Sequence, residues 1–279
     1  MHILFNELSL SGQFPDQDSF SRTGLLPFLG VLKEMQGFSM LLLKKSDVWN
    51  RMVTPSNTLH SILIDKAQRK NDEVRRLKSA IADLEKEPFW DSSDSKQECG
   101  IKYFFNGVDI GGSSPAEACE RDRIIVSFQL SSTSIDPLSI MRNGVPLSLL
   151  NLTCSGSLTE HLWANHHISF ESYLKARFSR GKLDFSKVEK KMGFSEVQPE
   201  EQALFIDTFK KFEGLTWDNI HENKGLNYKE YHGIISITNS DKKTYKFRVS
   251  KKFRCHGYRE KDSFVVIGFE TDHKLSDQG

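Results

Sequence analysis

The densest chemistry in this 279-residue chain lies near its C-terminal end, where residues 242–261 hold nine Lys or Arg and a single acid, Glu260. The whole chain sets 38 Lys and Arg against 37 Asp and Glu, for a formal charge of +1, so this positive charge is local. Two strands are predicted there, over residues 244–250 and 252–258. Alternation puts Tyr245, Phe247, Val249, Phe253 and Cys255 on one face and Lys246, Arg248, Lys252, Arg254, His256 and Tyr258 on the other. One face reads as core, the other as cationic. Such a face suits a polyanion: its Lys and Arg, with Lys251 and Arg259 beside them, would bind phosphate, and His256 and Tyr258 could stack on bases or move protons. An ordinary solvent-facing sheet, with Lys protecting its edge, is the other reading of the same pattern.

The remaining chemistry-bearing residues give weaker signals. Gly111-Gly112-Ser113-Ser114-Pro115 has the look of an anion-binding turn ahead of a helix, yet it lacks the Gly-Lys-Ser/Thr ending of a P-loop and the glycine spacing of a dinucleotide fold. His161, His166 and His167 lack the i, i+4 spacing of a helical metal pair and read as solvated or hydrogen-bonded. Asp184, Glu189 and Lys191 superficially match a metal-nuclease set but read as a solvated helix face. Cys99, Cys119, Cys154 and Cys255 form no CxxC pair and read as reduced thiols of a cytoplasmic protein. Asn151-Leu152-Thr153 fits a glycosylation sequon without a secretory context. No metal or cofactor is expected.

These residues need elements to position them. An apolar content of 38% with 27% charge excludes a disordered tail or a fibrous repeat. Residues 1–7 show no basic stretch leading into a long apolar run, and the run 40–43 stops at Lys44, so neither a signal peptide nor a membrane span is expected. Residues 25–43 supply core of ambiguous type. Ala67, Val74, Leu77, Ile81 and Leu84 predict an amphipathic helix over residues 62–87, stopped at Pro88. Strands are predicted at 101–105 and 124–130, with a short helix at 115–119 between them, and the turn-rich stretch 143–156 reads as a connection between two halves.

The clearest helix opens at Pro199 with Glu200 and Glu201, buries Phe205, Ile206, Phe209 and Phe212, and closes at Gly214. Thr216 then caps a second helix over 217–224, and strands follow at 234–238, 244–250, 252–258 and 263–269. The fold class expected is α+β. An N-terminal mixed α/β domain would span 1–155, a helical connecting segment 156–198, and a small domain 199–279 would pack a helical hairpin on a twisted antiparallel sheet.

That order of elements, with Tyr245-Lys246-Phe247-Arg248-Val249, Lys252-Phe253-Arg254 and the closing Asp272-His273-Lys274, resembles the RelE/ParE/HigB toxin superfamily over residues 199–279. Family toxins are usually small and free-standing, whereas this segment follows a long N-terminal portion. The resemblance implies a metal-independent endoribonuclease of the mRNA interferase kind, acting on free or ribosome-associated RNA, in which the 2′-hydroxyl attacks its own phosphate while basic residues stabilise the added charge. By position it gives Arg248 and Arg254 the phosphate, Lys252 an assisting role, and His273 or Tyr258 the proton transfer. Arg248 and Arg254 paired with the acidic N-terminal half, and His273 in a frayed terminus, are the alternatives. The implied setting is prokaryotic toxicity or antiviral defence, with an antitoxin or other protein partner docking on the N-terminal domain. A non-catalytic nucleic-acid-binding or assembly subunit of a multi-protein complex is the rival reading.

Overall fold

Ile3, Leu4 and Phe5 are wholly buried in strand β1 (His2–Phe5). The ambiguous apolar stretch that follows divides into helix α1 (Leu26–Gly37) and strand β2 (Leu41–Leu43), which runs parallel to β1. The structure is a computed structural model that describes residues 1–64, 88–179, 181–231 and 242–272. Nearly all of the helix expected over 62–87, the strand expected at 234–238 and His273 lie outside the described residues. The chain divides into two compact units, residues 1–158 and 159–279.

The first unit is built on a seven-stranded sheet. After the small hairpin β3 (Met52–Thr54) and β4 (Asn57–Thr58) and the helices α2 (Leu59–Ile64) and α3 (Trp90–Ser93) come β5 (Tyr103–Phe105) and β6 (Val108–Asp109). Helix α4 (Ser114–Cys119), β7 (Ile124–Val126), β8 (Leu138–Arg142) and β9 (Val145–Leu152) complete it, in the order β2-β1-β7-β9-β8-β5-β6. Strands β2, β1, β7 and β9 are mutually parallel and the rest antiparallel. Because the chain leaves β1 for β2 on one side and later returns to β7 on the other, the strand order reverses at β1/β7. The strands expected near 101–105 and 124–130 and the helix at 115–119 are all present, somewhat shorter than expected or offset by a residue at their ends.

The stretch 143–156 is not a connection between halves. Asn143 (φ 46°) and Gly144 (φ 81°) are the two left-handed residues of a tight hairpin turn, and Val145–Leu152 is a strand inside the sheet. Its Asn143, Gly144, Ser148 and Asn151 belong to that turn and strand, and only residues 153–156 lead on toward the boundary between the units. Asn151 itself is buried, donating from Nδ2 to the carbonyls of Thr133 (2.9 Å) and Ile135 (2.8 Å), so in the fold it offers no glycosylation site.

The polar residues that end the parallel strands are tied together. Asn6, just after β1, donates to Ser127 Oγ after β7 (2.8 Å), and Ser127 donates to Asn151 Oδ1 in β9 (2.6 Å). Each buried amide and hydroxyl finds a partner, as burial away from water demands. Beneath them Phe5, Phe28 and Phe128 pack together, with the Phe28 and Phe128 rings stacked at 4.3 Å.

The second unit contains α6 (Phe170–Arg177), β10 (Leu183–Asp184), α7 (Pro199–Gly214), α8 (Trp217–Glu222), β11 (Lys229–Glu230), β12 (Thr244–Arg248), β13 (Arg254–Glu260) and β14 (Ser263–Glu270). A helix α5 (Ser157–Ala164) carries the boundary between units. Helix α7 has the expected bounds: Pro199 opens it, Gln198 and Glu201 form a reciprocal capping box, and Phe205, Ile206, Phe209 and Phe212 are buried. Thr216 caps α8 by accepting from Asn219 N–H (3.3 Å). The sheet order is β10-β14-β13-β12-β11, antiparallel except that β10 pairs parallel with β14. Residues 159–198 are therefore not a mere connector. They supply the edge strand β10 and put Phe170, Tyr173, Leu174, Phe178, Leu183 and Phe185 into the same core as Phe205, Phe209, Phe247 and Phe264.

Candidate functional site

The alternation read from the sequence divides β12 and β13 correctly. Tyr245, Phe247, Val249, Phe253 and Cys255 face the core formed with the helical hairpin. Lys246, Arg248, Arg254, His256 and Tyr258 share the opposite face, held in register by the pairs Lys246 with His256 and Arg248 with Arg254.

That opposite face is not open to solvent, which overturns the expectation of an exposed cationic surface. Lys246 is 5% exposed, Arg254 8% and His256 1%. The residues that cover it come from elsewhere in the unit: Tyr231 and Met192 cluster with Ile267 and Tyr258, and Glu189 N–H bonds the Ile267 carbonyl (2.9 Å). Lys246 Nζ lies 4.0 Å from the centroid of the Tyr231 ring, a cation–π contact that replaces part of its lost hydration. The Tyr231 and His256 rings are 5.4 Å apart. Arg254 turns back on the hairpin, its Nη1 donating to the carbonyls of Ser250 and Phe253, both at 2.8 Å.

His256 and Glu270 form the centre of this face, Nε2 to Oε2 at 2.8 Å, both side chains 1% exposed. The Nδ1 of His256 has no hydrogen-bond partner. Protonating the ring would bury an unsatisfied N–H, and burial together with the nearby Lys246 and Arg254 charges outweighs the pull of Glu270, so the His256 pKa lies below its ordinary value. A neutral ring donating from Nε2 to the carboxylate is the consistent assignment. Glu270 and Tyr231 were not among the residues singled out from the sequence. Period-two counting misplaces Glu270, because a bulge at His256/Gly257 shifts the β13–β14 register between Val266 and Gly268.

The other expected site residues separate. Tyr258 is half-buried beneath Lys242, whose Nζ sits 4.4 Å from the ring centroid and pairs with Glu260 at 2.9 Å. Arg259 is exposed and stacks its guanidinium 4.0 Å from the Trp217 ring. Lys251 and Lys252 are exposed in the β12–β13 turn, while Arg248 is half-buried. The cluster combines an imidazole, a carboxylate and two cations, groups capable of proton transfer and phosphate stabilisation. Its burial gives it another effect in this conformation: it fixes the sheet's second face through charge-assisted bonds in a low-dielectric setting.

Among the described residues no group of His, Cys, Asp or Glu could hold a metal ion, and no helix is long and apolar enough to cross a membrane. Asp184 instead accepts from the Ser186 N–H (2.8 Å), and His166 and His167 are exposed. No protein-family model, curated protein or solved structure matches the chain.

Proposed function

We propose that the chain is a nucleic-acid-directed effector whose second unit binds RNA through the exposed rim of its sheet, the buried cluster beneath serving to hold that sheet in shape. One observation carries this reading: the exposed cations Lys252 in the β12–β13 turn and Arg259 and Lys261 at the β13–β14 turn flank β13 at both ends, in a chain whose total charge is +1. Seven residues of strand set these groups about 20 Å apart, a span that suits a flexible polyanion better than a single small anion. The resemblance of the sequence over residues 199–279 to RelE/ParE/HigB toxins favours the same partner class.

The test is anisotropy of labelled single-stranded RNA with the full chain across a salt series. Replacing Lys252 and Lys261 together with Glu should weaken binding and reduce the logarithmic salt slope by about 0.7 for each phosphate that is no longer neutralised. Wild-type affinity and slope in that variant would refute the reading.

A metal-independent endoribonuclease is the second reading, favoured by the convergence of Lys246, Arg254, His256 and Glu270 on one face. In that case chelator-resistant RNA cleavage, with or without ribosomes, accompanies binding, and His256→Gln abolishes cutting while leaving binding in place. Binding without any cleavage by the wild-type chain supports the non-catalytic reading.

A further inference from the structure

The first unit holds a cavity of about 400 Å³ that the C-terminal chemistry does not use. Glu7, just beyond β1, and Lys45, just beyond β2, line it from the carboxyl ends of adjacent parallel strands, beside the point where the strand order reverses. Open parallel sheets leave a crevice at this place, because the loops leaving neighbouring strands diverge to opposite faces. Opposite them stand the Asn106–Asp109 hairpin and the 132–133 turn, the latter fixed by the Asn6, Ser127 and Asn151 network.

The lining sorts into three kinds of group. Lys45 and Arg51 bring two cations, which share the single carboxylate of Asp47 (3.5 and 3.1 Å), while the carboxyls of Glu7 and Asp109 belong to other parts of the lining. Leu8 and the largely exposed Val108 offer apolar surface. Asn106, Asp109, Ser132 and Thr133 offer an amide, a carboxylate and two hydroxyls, groups that read the hydrogen-bonding edges of a polar ring or sugar.

The glycine turn does not supply the anion site its sequence suggests. Gly111 N–H bonds Asp109 Oδ1 (2.9 Å), Gly112 N–H bonds Gln97 Oε1 (2.8 Å), and Ser114 N–H bonds the Glu7 carboxylate (3.0 and 3.2 Å). The group at the start of α4 is the chain's own Glu7 carboxyl, which leaves the Lys45 and Arg51 side as the place for a ligand's charge.

We propose that this cavity binds a nucleoside monophosphate, with its phosphate on Lys45 and Arg51, its apolar ring face against Leu8 and Val108, and its polar edges met by Asn106, Asp109 and the 132–133 hydroxyls. The volume lies in the range of small-ligand pockets, and the mixture of apolar wall and few convergent polar groups is what such sites require. Burial raises the Glu7 pKa, so the fold disfavours negative charge at this part of the lining.

Calorimetry of the full chain with AMP, GMP, CMP and UMP, the four nucleosides, and inorganic phosphate tests it. At least one monophosphate should bind with Kd below about 1 mM, and its nucleoside and inorganic phosphate should each bind at least about tenfold more weakly. Lys45→Ala with Arg51→Ala should cost at least about tenfold. Val108→Trp, at an exposed position on the edge strand β6, should block the mouth with an unchanged circular dichroism spectrum. The Lys252/Lys261 charge-reversal variant should bind the monophosphate as the wild type does, which separates this site from the RNA-binding rim. Absence of binding by all four monophosphates at about 5 mM, inorganic phosphate binding as tightly as the best monophosphate, or undiminished binding in a folded cation variant would overturn the proposal. Should the cation variant fail to fold, undiminished binding by Val108→Trp overturns it equally.

Discussion

Replacing Arg254 with Ala separates an open cationic face from a covered one. On an open face the change would be nearly silent. In the structure Arg254 is 8% exposed, its Nη1 satisfies two carbonyls at 2.8 Å, and it lies opposite Glu270 in the β13–β14 register. Hydrogen bonds from a charged donor are worth about 1.5–3 kcal/mol each. The Ser250 and Phe253 carbonyls lie in a turn whose neighbours Lys251 and Lys252 are exposed, so water recovers part of what the guanidinium gave. A net loss of about 2–4 kcal/mol is expected, compared with less than about 0.5 kcal/mol for Lys252→Ala in the same turn. The assay is hydrogen exchange of the full chain across a urea series, read on peptides covering residues 244–270, which reports the second unit without assuming that both units unfold together. Equal midpoints for the two variants would refute the covered face and restore the exposed one.

Three further perturbations test other parts of the structure. His256 is neutral in the fold because its pKa is depressed, so the stability it confers is present above the ordinary value near 6.5 and lost as pH falls below it; His256→Gln should flatten that acid-side loss in urea titrations at pH 7, 6 and 5, and an unchanged slope would contradict the assignment. Glu7 has the opposite sign: its raised pKa makes the protonated form the favoured one in the fold, so stability declines as pH climbs from the ordinary 4.5 through the folded value, and Glu7→Gln should gain on the wild type over that interval in thermal melts. A Cβ at Gly257 would meet the Val265 carbonyl oxygen and the Phe264 ring at the bulge, so Gly257→Ala should cost about 1–3 kcal/mol in chemical denaturation, and a neutral result would mean the bulge relaxes freely.

Much of the second unit was legible because local signals and burial agree there. Helix α7 is bounded by its own Pro199, capping residues and Gly214, and the strand faces follow from the alternation of Phe247 and Cys255 with Lys246, Arg254 and His256. The reading of 143–156 as a linker failed for a local reason: Asn143-Gly144 is both a loop signal and the tightest hairpin turn, and only the pairing of Val145–Leu152 with β7 and β8 tells them apart.

The chain alone determined which residues lie on each side of β12 and β13 and where helix α7 begins and ends, because those properties repeat every two residues or are set by residues within one turn. It did not determine what lies against the second face of the β12–β13 pair. Tyr231 and Met192 reach that face from other parts of the sequence, and with them Lys246, Arg254 and His256 are buried beside Glu270 instead of solvated. The cavity beside Glu7 depends on the same kind of information. Glu7, Lys45, Asp109 and Thr133 lie far apart along the chain, and they meet only because strand order places β1 between β2 and β7. Charge and pattern are written locally, whereas burial and convergence are set by which segments meet in three dimensions.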